Sequence, residues 1–415
     1  MEQKPVIEQK KDRSWMKATW FIPLMAVLLF HMANQISNIG WKPLITLIRN
    51  GLHLTNAQSG MLIGIAGIAS VIAALPAGWF ANRFGAKKAL VITAILSAGG
   101  MMLLSTAQSY DQALYGRVVW QFFYRMSLIS TMAATALAVP AHFRGRAMGI
   151  NGSFANLGAM IGAPLGAGIA VAVGWNKAFY VYTVILLVGA LIFLIFYKPY
   201  EGADKTVAET VDPNAPKPVS AFKQPIAWVM AIMMFFFSTG GTIVALVPLQ
   251  LKDMFGAGVI IAATLQAFGQ GAGIFFNPVF GWISDRYGRF ESLILIAGIS
   301  IVCYLGMMVP NYYVYMFFVA IIEFLGICAL NQVYAAGSYL LKGREIGAIT
   351  GITAIGTGAA QFVLSTGIGW LKDVTGSWLA GMIVCVLMSV VALLIAWYLL
   401  KWTQKRDTAD LAASK

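Results

Sequence analysis

Arg117 and Arg125 interrupt an otherwise apolar stretch, YGRVVWQFFYRMSLIS, eight positions apart. On a helix rising about 1.5 Å per residue, that spacing sets them about 12 Å apart along one face. A guanidinium presents a rigid, two-pronged set of donors matched to carboxylate or phosphate. Arg125 is therefore expected to bind an anionic solute. A second apolar stretch, MFFVAIIEFLGICALNQVYAAG, holds Glu323, which is expected to load and release a proton. Arg125 and Glu323 each lie 21 residues before a basic anchor, Arg146 and Arg344, so they are expected at similar depths. The alternatives are a static salt bridge between them or locally satisfied polar packing.

His31, Asn34, Gln35 and Asn38 follow the one-face rhythm of a helix. Such a polar stripe inside an apolar segment is expected to line a route through it. His31 either carries protons, given its titration range, or serves as a hydrogen-bonding group. Further candidate lining groups are Gln121 and Tyr124 beside Arg125, Gln266 and Gln270 one turn apart, and Asn331 with Gln332 beyond Glu323. Thr353, Thr357 and Gln361 recur at four-residue spacing. Each of these could instead hold neighbouring helices together.

The elements carrying these residues must be membrane spans. Of the 415 residues, 59% are apolar and 11% charged, with mean hydropathy +0.75, whereas soluble chains carry about a quarter charged residues. Charge-poor stretches recur at the ~20 residues that a helix needs to cross hydrocarbon. The expected spans are 20–40, 57–80, 88–107, 114–138, 147–171, 178–197, 226–250, 259–282, 291–309, 315–338, 347–369 and 377–400. Proline, charge and small polar residues after Lys198 make a linker with too little apolar surface to repay ordering. The expected organisation is a tail at 1–19, a six-helix bundle at 20–197, a linker at 198–225, a second bundle at 226–400 and a tail at 401–415.

The halves repeat each other. GWFANRFGAKK from Gly78 matches GWISDRYGRFE from Gly281, and RGRAMGI from Arg144 matches KGREIGA from Lys342. Duplicated six-helix halves are an expected architecture for alternating-access carriers. The net charge of +13 sits in the short connections, tails and linker rather than on a contiguous basic helix, which argues against nucleic acid as a partner. Alternate loops, including Arg83, Lys87, Lys88, Arg144, Arg146, Arg286 and Arg289, are basic. The opposite loops hold only Lys42, Arg49, Lys177, Lys252 and Lys372. By the positive-inside rule both termini are cytoplasmic, in a multi-pass protein of a cell membrane, with a bacterial inner membrane expected. Cys303, Cys328 and Cys385 lie inside apolar stretches with no metal-site spacing, so neither a disulfide nor a metal is expected. The first apolar stretch has no small-residue cleavage site, and no removed signal peptide is expected.

These motifs resemble the major facilitator superfamily of transporters, and within it the organic anion/proton symporters. Members carry a loop signature of the form G-x-x-x-D-R-x-G-R-R/K after the second helix, often echoed after the eighth. Here the echo has Gly281, Asp285, Arg286, Gly288 and Arg289, while the first copy keeps Gly78, Arg83 and Gly85 but has Asn82 in place of the acid. The resemblance implies a conformational gate at Asn82, Arg83, Asp285, Arg286 and Arg289. Its charges can pair with neighbouring helix ends in one state and release them in another. Gly158, Gly162, Pro164 and Gly166 resemble the family's glycine-proline motif on the fifth helix. Arg117 matches an arginine that the family links to proton coupling or helix packing, with Gln121 where a glycine is usual.

The expected protein is thus an all-α polytopic membrane protein with twelve transmembrane helices in two pseudo-symmetric bundles. Its expected activity is secondary active transport of a small organic anion, coupled to protons through Glu323 and Arg117, by a monomer in the lipid bilayer. Proton-coupled drug or metabolite efflux, anion exchange, and a receptor on a transporter fold are the alternatives. No P-loop or HExxH pattern is present, and neither an enzyme activity nor a cofactor is expected.

Overall fold

The structure, a computed structural model, describes residues 19–200, 225–340 and 346–413. Linker residues 201–224, with Lys205, Lys217 and Lys223, and the anchors Lys342 and Arg344 therefore lie outside the described residues. The described chain is helical: α1 Phe21–Gly40, α2 Ile45–Gly51, α3 Asn56–Ser105, α4 Tyr110–Ala138, α5 Arg144–Val173, α6 Trp175–Phe196, α7 Pro225–Phe237, α8 Thr239–Phe255, α9 Val259–Tyr287, α10 Arg289–Met307, α11 Tyr312–Leu340, α12 Ile346–Thr375 and α13 Leu379–Ala413. Among the described residues, ten helical segments are long and apolar enough to cross a membrane. α4 and α12 are not among them. α4 carries Arg117, Gln121 and Arg125, and α12 carries Thr353, Thr357 and Gln361, so these two helices hold much of the polar lining anticipated from the sequence.

Local chemistry explains where the helices start and turn. Thr55 accepts from the Gln58 backbone N–H while the Gln58 side chain accepts from the Thr55 N–H, a reciprocal cap that starts α3. Ser109 accepts from the Gln112 backbone N–H at the start of α4. The two repeated loops turn at matched glycines: Gly85 has φ 76° and Gly288 has φ 116°. That region of backbone space is costly for any residue with a Cβ, so the repeated sequence encodes a repeated turn. Gly85 interrupts α3, which is two helices joined at that point, in keeping with the expected second and third spans. The expected seventh span, 226–250, is broken at Ser238 into α7 and α8. The last expected span, 377–400, continues as helix to Ala413.

Large apolar side chains face outward, including Val184, Val188, Leu191 and Ile195 on α6 and Leu387, Leu394, Trp397 and Tyr398 on α13. In water so much exposed apolar surface would drive association; in a bilayer it meets hydrocarbon. Inside, small residues set the packing. A methyl on Gly158 would lie 2.3 Å from the Met32 carbonyl oxygen, and one on Gly162 would lie 2.2 Å from that of Ile36. The glycine-proline helix α5 thus presses its backbone directly against α1.

The helices connect alternately at two ends. The basic end carries the turns at Gly85 and Gly288 and the start of α5; the far end carries the connections at residues 41–55, 106–109, 256–258 and 376–378. At the far end, helices from the two halves of the chain meet backbone to backbone. A Cβ on Gly60 would lie 2.1 Å from the Ser365 oxygen, one on Gly67 2.2 Å from that of Gly358, and one on Gly369 2.2 Å from that of Asn56.

Candidate functional site

Below the closed far end, the two halves of the chain enclose a cavity with two lobes. The first lobe has a volume of about 300 Å³ and is walled by Asn38, Lys42, Arg117, Gln121, Tyr124 and Arg125, facing Tyr334, Thr357 and Gln361. The second, of about 270 Å³, is walled by Asn156, Ser238, Thr242, Gln270 and Glu323. Ile39, Lys42, Leu330, Thr357 and Gln361 border both lobes and form the partition.

Arg117 is 3% exposed, and its guanidinium carbon lies 4.3 Å from the Trp41 ring centre and 4.4 Å from that of Trp120. Two aromatic faces thus hold the cation by its π surfaces. Its Nε and Nη1 have no hydrogen-bond partner, nor does Nε of Arg125. Buried donors left in this condition are costly, and both arginines contribute to the wall of the first lobe. Gln121 donates through Nε2 to Ser70 Oγ at 3.1 Å, leaving Oε1 unpaired. Tyr124 donates its hydroxyl to Gln35 Oε1 at 3.0 Å and accepts from Asn38 Nδ2 at 2.9 Å. That triangle ties α4 to α1 and fixes the phenol at the cavity wall.

Glu323 is 4% exposed, and its Oε2 has no hydrogen-bond partner. Arg125 and Glu323 wall different lobes and do not form an ion pair, so the static bridge weighed from the sequence is not what joins them. Lys42 is the cation common to both lobes. Its position in a connection outside the expected spans gave no sign of this. A 3-10 turn at Lys42–Leu44, with Pro43 in its first turn and with Trp41 and Leu44 buried on either side, folds the chain back under α1. Asn156 on α5, walling the second lobe, had no periodic polar stripe to mark it.

The other residues singled out from the sequence sit as follows. His31 is buried, with Nδ1 at 2.7 Å from Asn151 Oδ1, and Gln35 Nε2 approaches its other ring nitrogen at 3.5 Å. Asn34 donates to Ser127 Oγ at 3.5 Å. Gln266 donates to the Ile39 carbonyl at 3.2 Å, tying α9 to the end of α1 across the two halves of the chain. Asn331 is exposed and donates to Asn277 Oδ1 at 3.0 Å, away from both lobes. At the basic end, Arg83 and Asp285 are exposed, and Arg286 lies over the rings of Trp282 and Tyr287 at 5.4 and 5.7 Å. Arg289 donates to the Ala335 carbonyl of α11. The Asn82 side chain lies outside the described residues.

The far end is closed by polar contacts that the sequence did not point to. Arg49 of α2 grips Asp253 of α8 with two bonds, of 2.6 and 2.9 Å, and also donates to Asn56 Oδ1 at 2.7 Å. Asp253 accepts from Trp378 Nε1 at 3.2 Å. Asp373, at the end of α12, accepts from the backbone N–H groups of Asn56 and Ala57 at 3.1 and 2.7 Å, where the helix dipole of α3 favours an anion. Partial burial pushes the Asp373 carboxyl up, but these donors outweigh it and hold the group below its ordinary value.

Residues 24–363 match the family model described as Major Facilitator Superfamily. The chain is 25% identical over 377 residues to a probable sulfoacetate transporter, SauU, of Cupriavidus necator, covering 86% of this chain and 88% of that one. It is 23% identical over 396 residues to a probable nitrate/nitrite transporter, NarK2, of Mycobacterium tuberculosis, covering 90% and 93%. Its fold resembles that of a bacterial homologue of the human lysosomal transporter Spinster, solved in an inward-facing and unoccupied conformation. The TM-score is 0.73 at 16% identity, over 92% of this chain and 97% of that one.

Proposed function

This chain belongs to the Major Facilitator Superfamily, and we propose that, within that family of secondary transporters, it carries a small organic anion coupled to protons. The observation that carries the reading is the pair of arginines, Arg117 and Arg125, on one wall of the first lobe, neither of them paired with a protein carboxylate among the described residues. An anion in the first lobe supplies the negative charge that this wall lacks, and Gln121, Tyr124 and Asn38 orient it. Glu323 takes the proton, with Arg117 linking its charge to the occupied lobe. The relatives named for sulfoacetate, an organic anion, and for nitrate and nitrite, inorganic ones, are consistent with a small anionic cargo. A lipophilic cation, the cargo of many efflux pumps, would be repelled by Lys42, Arg117 and Arg125 together.

In this reading twelve spans form two six-helix bundles, 20–197 and 226–400, joined by the linker and acting as a monomer. Both termini are cytoplasmic in a bacterial inner membrane, so the closed far end faces outward and the cavity opens inward. The loop signature, with Asn82, Arg83, Asp285, Arg286 and Arg289, closes the basic end in the opposite state of the cycle. The test is a binding screen on the purified protein across carboxylates, sulfonates, sugar acids, neutral sugars and cationic drugs, with Arg125→Ala in parallel, followed by uptake into proteoliposomes with and without a proton gradient. We expect a stabilising anion whose affinity falls about tenfold or more in the variant, the scale of a lost charge-assisted hydrogen bond. Selective binding of a neutral or cationic ligand that survives the substitution overturns the assignment.

A further inference from the structure

The charges on the cavity wall do not balance. The two lobes together carry three cations, Lys42, Arg117 and Arg125, against one carboxylate, Glu323; Lys42 shares the second lobe with Glu323, and none of the three lies within ion-pair distance of it. With Glu323 ionised the cavity is left with two uncompensated positive charges, in surroundings where an isolated buried charge is expensive. One negative charge on a cargo leaves half of that excess in place; two remove it.

The geometry distributes the cations in the same sense. Arg117 and Arg125 lie on one helix, α4, at the wall of the first lobe, whereas Lys42 stands on the partition between the lobes, on a turn anchored by buried Trp41 and Leu44. A molecule with an acidic group at each end can therefore place one head on the guanidinium wall and the other beside the ammonium. With lobes of about 300 and 270 Å³, at or below the small end of ligand pockets, the molecule must be short.

Building on the anion reading above, we infer that the cargo is a short dianion with two acidic groups, a dicarboxylate or a sulfo-carboxylate, and that Lys42 is the residue that selects two acidic groups over one. Arg125 serves the head that monoanions and dianions share. Lys42 serves the second head alone, because it is the cation that reaches the partition. An ammonium is a compact charge without the planar fork of arginine, so it accepts a carboxylate or a sulfonate in this place equally well.

The experiment measures affinity on the full-length purified protein by calorimetry with matched pairs: succinate against butyrate, malonate against propionate, and sulfoacetate against methanesulfonate. We expect each dianion to bind about tenfold or more tightly than its partner. Lys42→Gln should cost each dianion about tenfold more affinity than it costs the matched monoanion, and Lys42→Arg should keep the preference. Arg125→Ala should weaken both members of every pair. Equal binding of mono- and dianions, still dependent on Arg125, overturns the inference and leaves the anion reading standing. An equal loss of monoanion and dianion affinity in Lys42→Gln also overturns it, since Lys42 would then support the site as a whole. Failure of every anion to bind, or binding indifferent to Arg125, removes the anion reading itself.

Discussion

Replacing Asp253 by Asn should unlatch the far end. Arg49 reaches both carboxylate oxygens, at 2.6 and 2.9 Å, and Trp378 donates to one of them. An amide keeps one oxygen as acceptor and turns the other into a donor aimed at a guanidinium. One charge-assisted bond is therefore lost, worth about 1.5–3 kcal/mol. The two side chains are 14% and 18% exposed, so solvent screens the pair and the lower figure applies. About 1.5 kcal/mol is roughly a tenfold change in an equilibrium constant. If about one molecule in a hundred opens its far end in the parent protein, about one in eleven should do so in the variant. Spin labels on cysteines introduced at the exposed positions Asn50 and Val374, one on each side of the latch, would report the change as a second, longer distance. Native Cys303, Cys328 and Cys385 are buried and should escape labelling. High salt should reproduce part of the effect in the parent by screening the pair. A distance distribution identical in parent and variant at both salt concentrations would refute the idea that this ion pair holds the far end shut.

Two further perturbations probe the same closure. Gly67→Ala places a Cβ 2.2 Å from the Gly358 oxygen, which forces α3 and α12 apart; the Asn50–Val374 distance should lengthen and transport should fall. Gly99→Ala, where a Cβ meets nothing within 4 Å, should leave both unchanged. Asp373 is held below its ordinary value by the N–H groups it caps, so its contribution to closure is complete above the usual carboxylate range near pH ~4 and is lost as the pH falls through the lowered value. Far-end opening should therefore increase on acidification below about pH 4, and Asp373→Asn should open more at neutral pH and lose this component of the acid response; an unchanged acid profile in that variant would assign the response elsewhere.

How much of the site could be read in advance differs residue by residue. Arg117, Gln121, Tyr124 and Arg125 belong to one helix, and a period of 3.6 residues is enough to group Arg117, Gln121 and Arg125 on a face. Asn38 reached the same wall because it ends a polar stripe. That stripe also contained His31 and Asn34, whose side chains turn to Asn151 on α5 and Ser127 on α4. Periodicity names a face without naming the neighbour that the face meets. Asn331 shows the same limit, since its helix is rotated so that it meets Asn277 while Glu323, about two turns earlier, walls the cavity. Lys42 had no periodicity at all, because a 3-10 turn after the span carries it inward.

The amino-acid sequence by itself determined the class of the molecule and its inventory. Long apolar runs can satisfy their backbone in a bilayer only as helices, buried charges are too costly to be incidental, and the matched loops require the same glycine turn twice. Tertiary structure alone decided which polar groups share a cavity and which end of the molecule is shut. Both depend on how closely helices distant in the chain can approach, as where Gly60 and Gly67 meet the backbone of α12, and on how each helix is rotated when it packs. Hydropathy and period describe one helix at a time, whereas the separation of Arg125 from Glu323 and the arrival of Lys42 between the two lobes arise from all of them packing together.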